Sequence, residues 1–175
     1  MDQTLLVGID VGSTTVKIAL VDPENPEKPI YHRYIRHNAN QAETVYSILK
    51  EAHSHYPEAR FRVSICGSGG IEIARVLGTF YIQEVVANSI IIKRRHPDVR
   101  TAIELGGQDA KLIFFAKEEA TGQTIVSDMR MNGSCAGGTG AFIDQMAELL
   151  KVTPEEFGNY AINGKRTFDI SGRCG

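Results

Sequence analysis

The sequence has no tryptophan, only three cysteines and only a slight excess of acidic over basic residues. Nineteen basic and twenty-one acidic residues give a formal net charge of −2 at pH 7, whereas nucleic-acid binding requires a basic face. No apolar run is long enough to cross a membrane, and the first strand-like run is too short for the apolar region of a signal peptide. An odd number of cysteines without an export signal is typical of reduced thiols. We therefore expect a cytoplasmic protein that binds neither nucleic acid nor membranes.

A pattern of strand, tight turn, strand, strand and helix occurs twice, around residues 5–54 and 101–150. In the first copy, apolar runs at Leu5–Asp10 and Val16–Val21 are separated by so few residues that the two strands must pair antiparallel. The repeat predicts an α/β fold with mixed strand directions. Other predicted strands cover 30–35, 61–66, 101–105, 110–115 and 124–131, and predicted helices cover about 40–56, 71–77, 85–95 and 141–150, with another starting at Thr153.

The first candidate site is the segment Asp10–Lys17, in which a strand ends on an acid and the turn after it contains a glycine and three hydroxyl residues. Such a turn lets backbone N–H groups face a phosphate, and Lys17 adds a cation. Asp10 would hold Mg²⁺ through water, since magnesium keeps several waters when carboxylates are few. The alternative is a plain hairpin with a solvated Asp10. The candidate phosphate-binding residues are Gly12, Ser13, Thr14, Thr15 and Lys17.

The second candidate site is the segment Glu104–Lys111, which again places an acid at a strand end and glycines, Gly106 and Gly107, in a tight turn. Two such hairpins facing each other would clamp the β- and γ-phosphates of a nucleotide with a metal between them. Gln108 or Glu104 would then orient the attacking water. The alternative is a second surface hairpin, but the matching places of the two hairpins in the repeat favour a site.

The third candidate is the glycine-rich segment Asn132–Gly140, which contains Cys135 and leads into a helix. A thiolate at a helix N-terminus is stabilised by the helix dipole and is available to a metal. Cys135 and Cys174, with no histidine nearby, would supply half of a four-cysteine iron–sulfur site, and a second copy would supply the rest. Their spacing does not prove a shared metal. A further phosphate loop, a helix cap at Thr139 and a lone buried cysteine are the alternatives.

Cys66 and the five histidines are expected to be ordinary core or surface residues. Cys66 stands in an apolar run and is expected to be a small buried hydrophobe. The histidines are scattered in polar surroundings and are expected to be solvated: His32, His37, His53, His55 and His96.

The three candidate segments together resemble the CoA-substrate-specific enzyme activases. These are ATP-dependent activators of 2-hydroxyacyl-CoA dehydratases, related to the ATPase subunits of benzoyl-CoA reductases. The motifs that carry the resemblance are residues 8–15 (GIDVGSTT), 104–111 (ELGGQDAK) and 132–140 (NGSCAGGTG), and it extends from about Leu5 to Gly175. Sugar kinases and actin-like proteins share the phosphate hairpins but not the Cys135 loop.

The resemblance implies the ribonuclease-H-like actin/Hsp70/sugar-kinase ATPase fold, with residues 1–99 as the first lobe and 100–175 as the beginning of the second. It implies ATP or ADP bound with Mg²⁺ near Asp10. It also implies a homodimer with one [4Fe–4S] cluster at its interface, held by Cys135 and Cys174 of each subunit. ATP hydrolysis would drive one low-potential electron to a partner dehydratase or reductase, and a donor such as ferredoxin or flavodoxin would supply it. The implied nucleotide-site positions are Asp10, Thr14, Thr15, Gly106, Gly107 and Gln108.

Family members continue well past the second cysteine, so the resemblance also implies an N-terminal fragment with a truncated second lobe. We therefore expect weak or absent ATPase activity from these 175 residues alone, and turnover comparable to an intact activase would contradict this. Two other functions stay open. One is a small-molecule kinase of the same fold without a cluster, and the other is a non-catalytic remnant that only binds a partner.

Overall fold

The computed structural model describes residues 3–132 and 138–168. Its contacts divide the chain into two compact units, which meet in the sequence between Arg95 and His96. The predicted lobe boundary between residues 99 and 100 stays a prediction. Within the described residues, none of the helices is both long and apolar enough to cross a lipid bilayer.

The first unit is a five-stranded mixed sheet with three helices. The sheet order is β3-β2-β1-β4-β5, with β1 antiparallel to β2 and parallel to β4. The hairpin β1–β2 and the helices therefore lie where the apolar patterns predicted them. The elements are β1 (Thr4–Val11), β2 (Thr15–Val21), β3 (Tyr31–Arg36), α1 (Gln41–His55), β4 (Arg60–Cys66), α2 (Gly70–Leu77), β5 (Phe80–Tyr81) and α3 (Glu84–Arg95).

The core of this unit lies on one face of the sheet. Alternate residues of β1 are fully buried, from Leu5 to Val11, and they belong to one cluster with Val45 and Ile48 of α1. Burial of each such side chain contributes roughly 1.5–3 kcal/mol to stability. This packing positions the C-terminal end of β1, where Asp10 is located.

The parallel pairing of β1 with β4 brings two strand ends together. Asp10 lies opposite Cys66 in the register, because α1 carries the chain back to the start of the sheet before β4 begins. Cys66 is half-buried at this end rather than fully buried as expected, since the strand end opens towards solvent. The two-residue strand β5 was not predicted, because two residues are too few to show a period.

The second unit contains a three-stranded antiparallel sheet with the order β6-β7-β8. The predicted helix start at Thr153 is confirmed: the Thr153 hydroxyl accepts from the Glu156 N–H, and the Glu156 carboxylate accepts from the Thr153 N–H. The elements of this unit are β6 (Thr101–Leu105), β7 (Ala110–Lys117), β8 (Thr124–Met131), α4 (Gly140–Leu149) and α5 (Pro154–Ile162).

Candidate functional site

The first hairpin places Asp10 and Lys17 directly opposite each other at the ends of β1 and β2. Lys17 Nζ donates to Asp10 Oδ2 over 2.7 Å. Between them the Gly12 N–H donates to the Thr15 carbonyl oxygen over 2.9 Å and closes the turn. Thr15 is buried, whereas Ser13 and Thr14 are half-buried. The turn is thus half-buried and lies next to an acid and a cation.

Lys17 stays charged in this position. Partial burial acts to lower the pKa of Lys17, but the hydrogen bond and the charge of Asp10 outweigh it, so the pKa lies above its usual value. The Lys17 ammonium also lies 5.6 Å from the centre of the Tyr34 ring, within the range of a cation–π contact. A permanent positive charge therefore flanks the turn.

The second carboxylate oxygen of Asp10 is a candidate ligand atom. Oδ1 is buried and has no hydrogen-bond partner among the described residues, which is costly for a charged oxygen unless water or a cation reaches it. The described residues contain no group of three or more His, Cys, Asp or Glu side chains that could hold a metal. A single carboxylate fits Mg²⁺ that is otherwise bound by waters and phosphate, so the donor set suits this ion.

The loop after β4 packs directly against Asp10. Gly67 has φ of +89°, and a Cβ atom at this position would lie 2.4 Å from Asp10 Oδ1 and 2.4 Å from the Val11 carbonyl oxygen. The Gly69 N–H donates to the same Val11 oxygen over 2.9 Å. This contact was not predicted from the sequence, although the glycine cluster at 67–70 directly after a strand was the available signal.

Tyr81 supports the same loop from the neighbouring strand. Its hydroxyl donates to the Gly67 carbonyl oxygen over 3.2 Å. Burial raises the pKa of Tyr81, and the nearby Cys66, Glu84 and Asp10 act in the same direction. The hydroxyl therefore keeps its proton and remains a donor.

The expectation that all five histidines are solvated was wrong for His37. This side chain is 4% exposed, because the chain turns back after β3 and places the ring against the first hairpin. Its Nε2 lies 3.2 Å from the Gly12 carbonyl oxygen, and its Nδ1 accepts from the Ala39 N–H over 3.1 Å. The other four histidines are exposed: His32, His53, His55 and His96.

The second hairpin repeats the geometry of the first at the same offsets along the chain. Glu104 lies opposite Lys111, with Nζ and Oε1 3.3 Å apart, and Lys111 is 7% exposed. The Gly106 N–H donates to the Asp109 carbonyl oxygen over 2.7 Å, as Gly12 does to Thr15. The pairing of acid with lysine and the glycine-closed turn are therefore duplicated in the two units.

Helix α4 begins on this second turn. The N–H groups of Gly140 and Ala141 donate to the carbonyl oxygens of Gly106 and Gly107 over 2.9 and 2.8 Å. Thr139 occupies the N-cap position and is fully buried, but its side chain does not form the capping hydrogen bond that was one alternative. The carbonyl groups of the turn are thus held by the helix.

Asn132 holds the other side of the second turn. The side-chain Oδ1 of Asn132 accepts from the Ala110 N–H over 2.9 Å. The backbone N–H of Asn132 donates to the Ala110 carbonyl oxygen over 3.1 Å. The sequence placed Asn132 in the cysteine loop and gave no sign of this contact. Gln108 is exposed in the turn, and Gly107 is half-buried.

The structure brings the predicted residues together within each hairpin. That the two hairpins face each other across a nucleotide stays a prediction, as do the roles of the individual residues. Cys135 and Cys174 lie outside the described residues.

Comparison with known proteins assigns the chain to a protein family. The sequence profile of the BadF/BadG/BcrA/BcrD ATPase family matches residues 7–175. The (R)-2-hydroxyglutaryl-CoA dehydratase activating ATPase of Acidaminococcus fermentans is 28% identical over 169 residues, which are 96% of this chain and 62% of the relative. The 2-hydroxyisocaproyl-CoA dehydratase activator of Clostridioides difficile is 38% identical over 78 residues, 45% of this chain and 27% of the relative.

Comparison of the fold with solved structures finds the same group of proteins. The structure of the activator of the 2-hydroxyisocaproyl-CoA dehydratase from Clostridium difficile, with bound ADPNP, has a TM-score of 0.75 and 26% identity. The alignment covers 97% of this chain and 61% of that chain, so this chain spans about three-fifths of the neighbour's length. The predicted α/β fold of the actin-like ATPases and the resemblance to dehydratase activators are both confirmed.

Proposed function

Because the chain belongs to the BadF/BadG/BcrA/BcrD ATPase family, we propose that it forms the nucleotide-binding part of an ATPase that activates a 2-hydroxyacyl-CoA dehydratase or a related reductase. The observation that carries the proposal is the duplicated hairpin, in which an acid, a glycine-closed turn and a lysine recur at equal offsets. Such turns offer N–H groups and a cation to phosphate oxygens. A pair of them suits a nucleotide with several phosphates.

Each hairpin has its own part in nucleotide binding. Asp10 would hold Mg²⁺ through water, and the bound ion would neutralise charge on the phosphates. The turn from Gly12 to Thr15 would bind phosphate oxygens, with Lys17 beside it. In the second hairpin, Glu104 is paired with Lys111, whereas Gln108 is exposed in the turn. Gln108 is therefore the better placed of the two to orient the attacking water.

Electron transfer would depend on the two cysteines that lie outside the described residues. Cys135 and Cys174 of two identical subunits would hold one [4Fe–4S] cluster, which supplies the low-potential electron when it has been reduced by a ferredoxin or flavodoxin. The segment of Cys135 is followed directly by α4, whose first N–H groups are bonded to Gly106 and Gly107. The start of this helix therefore shares hydrogen bonds with the proposed phosphate turn.

We expect the full-length protein, purified without oxygen, to contain iron and sulfide and to show a cluster signal in electron paramagnetic resonance after reduction. Cys135→Ser is expected to lose the iron, because the variant lacks one thiolate ligand from each subunit. Cys66→Ser is the matched control and is expected to retain it, since Cys66 lies at the end of β4. Iron content and nucleotide affinity are measured on all three proteins.

Two outcomes would contradict the proposal. An iron-free wild-type protein that transfers phosphate to a small molecule would support the kinase instead. Iron that is retained in Cys135→Ser would remove this cysteine from the ligand set.

A further inference from the structure

We propose that His37 is a positioning residue of the nucleotide site, which orients the first phosphate turn through the Gly12 carbonyl without contacting the nucleotide. The proposal rests on the proposed function of this turn in binding phosphate. It arises from a juxtaposition of residues that are distant in sequence: the residue following β3 is buried against the turn between β1 and β2.

Both nitrogen atoms of the His37 ring are engaged, which fixes its tautomer. The Ala39 N–H is only a donor, so the Nδ1 atom that accepts from it carries no hydrogen. The hydrogen of the neutral ring is therefore on Nε2, which donates it to the Gly12 carbonyl oxygen. A third bond comes from the His37 backbone, whose N–H donates to the Thr14 carbonyl oxygen over 3.2 Å. Two carbonyl groups of the turn are thus held by one residue.

The segment behind His37 adopts an unfavourable backbone conformation that brings the ring to the turn. Asn38 and Ala39 both have positive φ, +47° and +66°, and Ala39 has no polar side chain to favour that region. The Asn40 N–H donates to the His37 carbonyl oxygen over 2.8 Å and closes this tight loop. Unfavourable backbone conformations of this kind persist where the surrounding contacts impose them, and they are frequent at ligand sites.

The direction of the Gly12 carbonyl decides where the next N–H group points. In a planar trans peptide the carbonyl oxygen and the following N–H lie on opposite sides. When His37 holds the Gly12 oxygen, the Ser13 N–H is therefore directed away from the ring. The bond to the Thr14 oxygen orients the Thr15 N–H in the same manner. Donors that are oriented in advance bind an anion without a further loss of backbone entropy.

In the second turn, a different donor bonds to the carbonyl group that corresponds to that of Gly12. Gly106 corresponds to Gly12, since each stands two residues after the acid and closes its turn. The Gly106 oxygen accepts from the Gly140 N–H at the start of α4. In both hairpins, a donor from outside the turn holds the carbonyl of the turn-closing glycine. In the first hairpin the His37 ring is this donor, whereas in the second it is the first N–H of α4.

Two conservative variants separate the contact with Gly12 from the contact with Ala39. The amide nitrogen of His37→Gln reaches the position of Nε2 and can donate to Gly12. The amide oxygen of His37→Asn reaches the position of Nδ1, so it can accept from Ala39 but leaves Gly12 without a donor. His37→Ala lacks both contacts, and His32→Ala is the control because His32 is exposed on β3.

The dissociation constant of a non-hydrolysable ATP analogue with Mg²⁺ is measured by calorimetry on the full-length proteins, together with their thermal midpoints. We expect His37→Ala and His37→Asn to raise this constant about tenfold, as loss of one hydrogen bond would, and His37→Gln to stay within about twofold of wild type. His32→Ala is expected to bind as the wild type does.

Equal constants for His37→Gln and His37→Asn would overturn the inference, whatever their thermal midpoints, because a purely structural role makes no distinction between the two ring nitrogens. If the wild-type protein bound no analogue at all, the proposed function would fail and the inference with it. Binding by the wild type with no difference among the variants would reject the inference alone.

Discussion

Asp10→Asn is expected to lower ATP turnover of the full-length protein by about 100- to 1,000-fold, the scale on which loss of one electrostatic contact to a transition state acts. The physical reason is that Asp10 is the acid at the end of β1, and its Oδ1 is buried without a partner among the described residues. An amide binds Mg²⁺ far more weakly than a carboxylate does. The variant also leaves the Lys17 ammonium without its counter-charge.

The measurement that isolates the metal is the dependence of nucleotide affinity on Mg²⁺ concentration. In the wild type we expect Mg²⁺ to strengthen binding, and in Asp10→Asn we expect this dependence to be largely lost. Asp98→Asn is the matched control, because it makes the same chemical change at an exposed position. If Asp10→Asn kept wild-type turnover and the full Mg²⁺ effect, Asp10 would have no role in holding the metal.

The second large effect is expected from Gly67→Ala. The added Cβ atom would lie 2.4 Å from both Asp10 Oδ1 and the Val11 carbonyl oxygen, and the residue has φ of +89°. Both β1 and the loop after β4 are held by hydrogen bonds, so the clash is relieved only by moving Asp10 or the strand end. We expect the free energy of unfolding to fall by roughly 2–4 kcal/mol, from the left-handed backbone and overpacking together. Nucleotide affinity should fall with it.

Gly78→Ala provides a close control for this experiment. Gly78 also has positive φ, +62°, but no heavy atom beyond its chain neighbours lies within 4 Å of the position of its added Cβ. The free energy of unfolding of Gly78→Ala should therefore fall only by the cost of the left-handed backbone, roughly 1–2 kcal/mol. This variant should retain nucleotide binding. Urea unfolding followed by circular dichroism suits this chain, which lacks tryptophan. Equal losses in the two variants would show that contact with Asp10 adds nothing.

The two hairpins could be predicted because their determinants are local. Apolar runs separated by a few residues leave only an antiparallel hairpin, and an acid and a lysine at matching distances from the turn then lie opposite each other. The helix start at Thr153 was equally predictable, since its capping residues are three positions apart. In each case the interacting groups are close in sequence, so the pattern itself contains the geometry.

The contacts around the turns could not be predicted in this way. Gly67 reaches Asp10 only because β4 pairs in parallel with β1 after the chain has crossed through α1. His37 was predicted to be solvated, since its neighbours are polar, but the left-handed residues Asn38 and Ala39 bring its ring to Gly12. Asn132 likewise reaches Ala110 through the return of β8 alongside β7.

The sequence by itself therefore determined the strands other than β5, the helices, the duplicated hairpins and the family, because these depend on residue types at short spacing. The tertiary structure decided which groups lie behind the turns: Gly67 against Asp10, His37 on Gly12 and the start of α4 on Gly106. The physical reason is that a carbonyl oxygen accepts from any donor that the fold brings within reach. Pairing of strands and crossing of the chain, rather than the local pattern, select that donor.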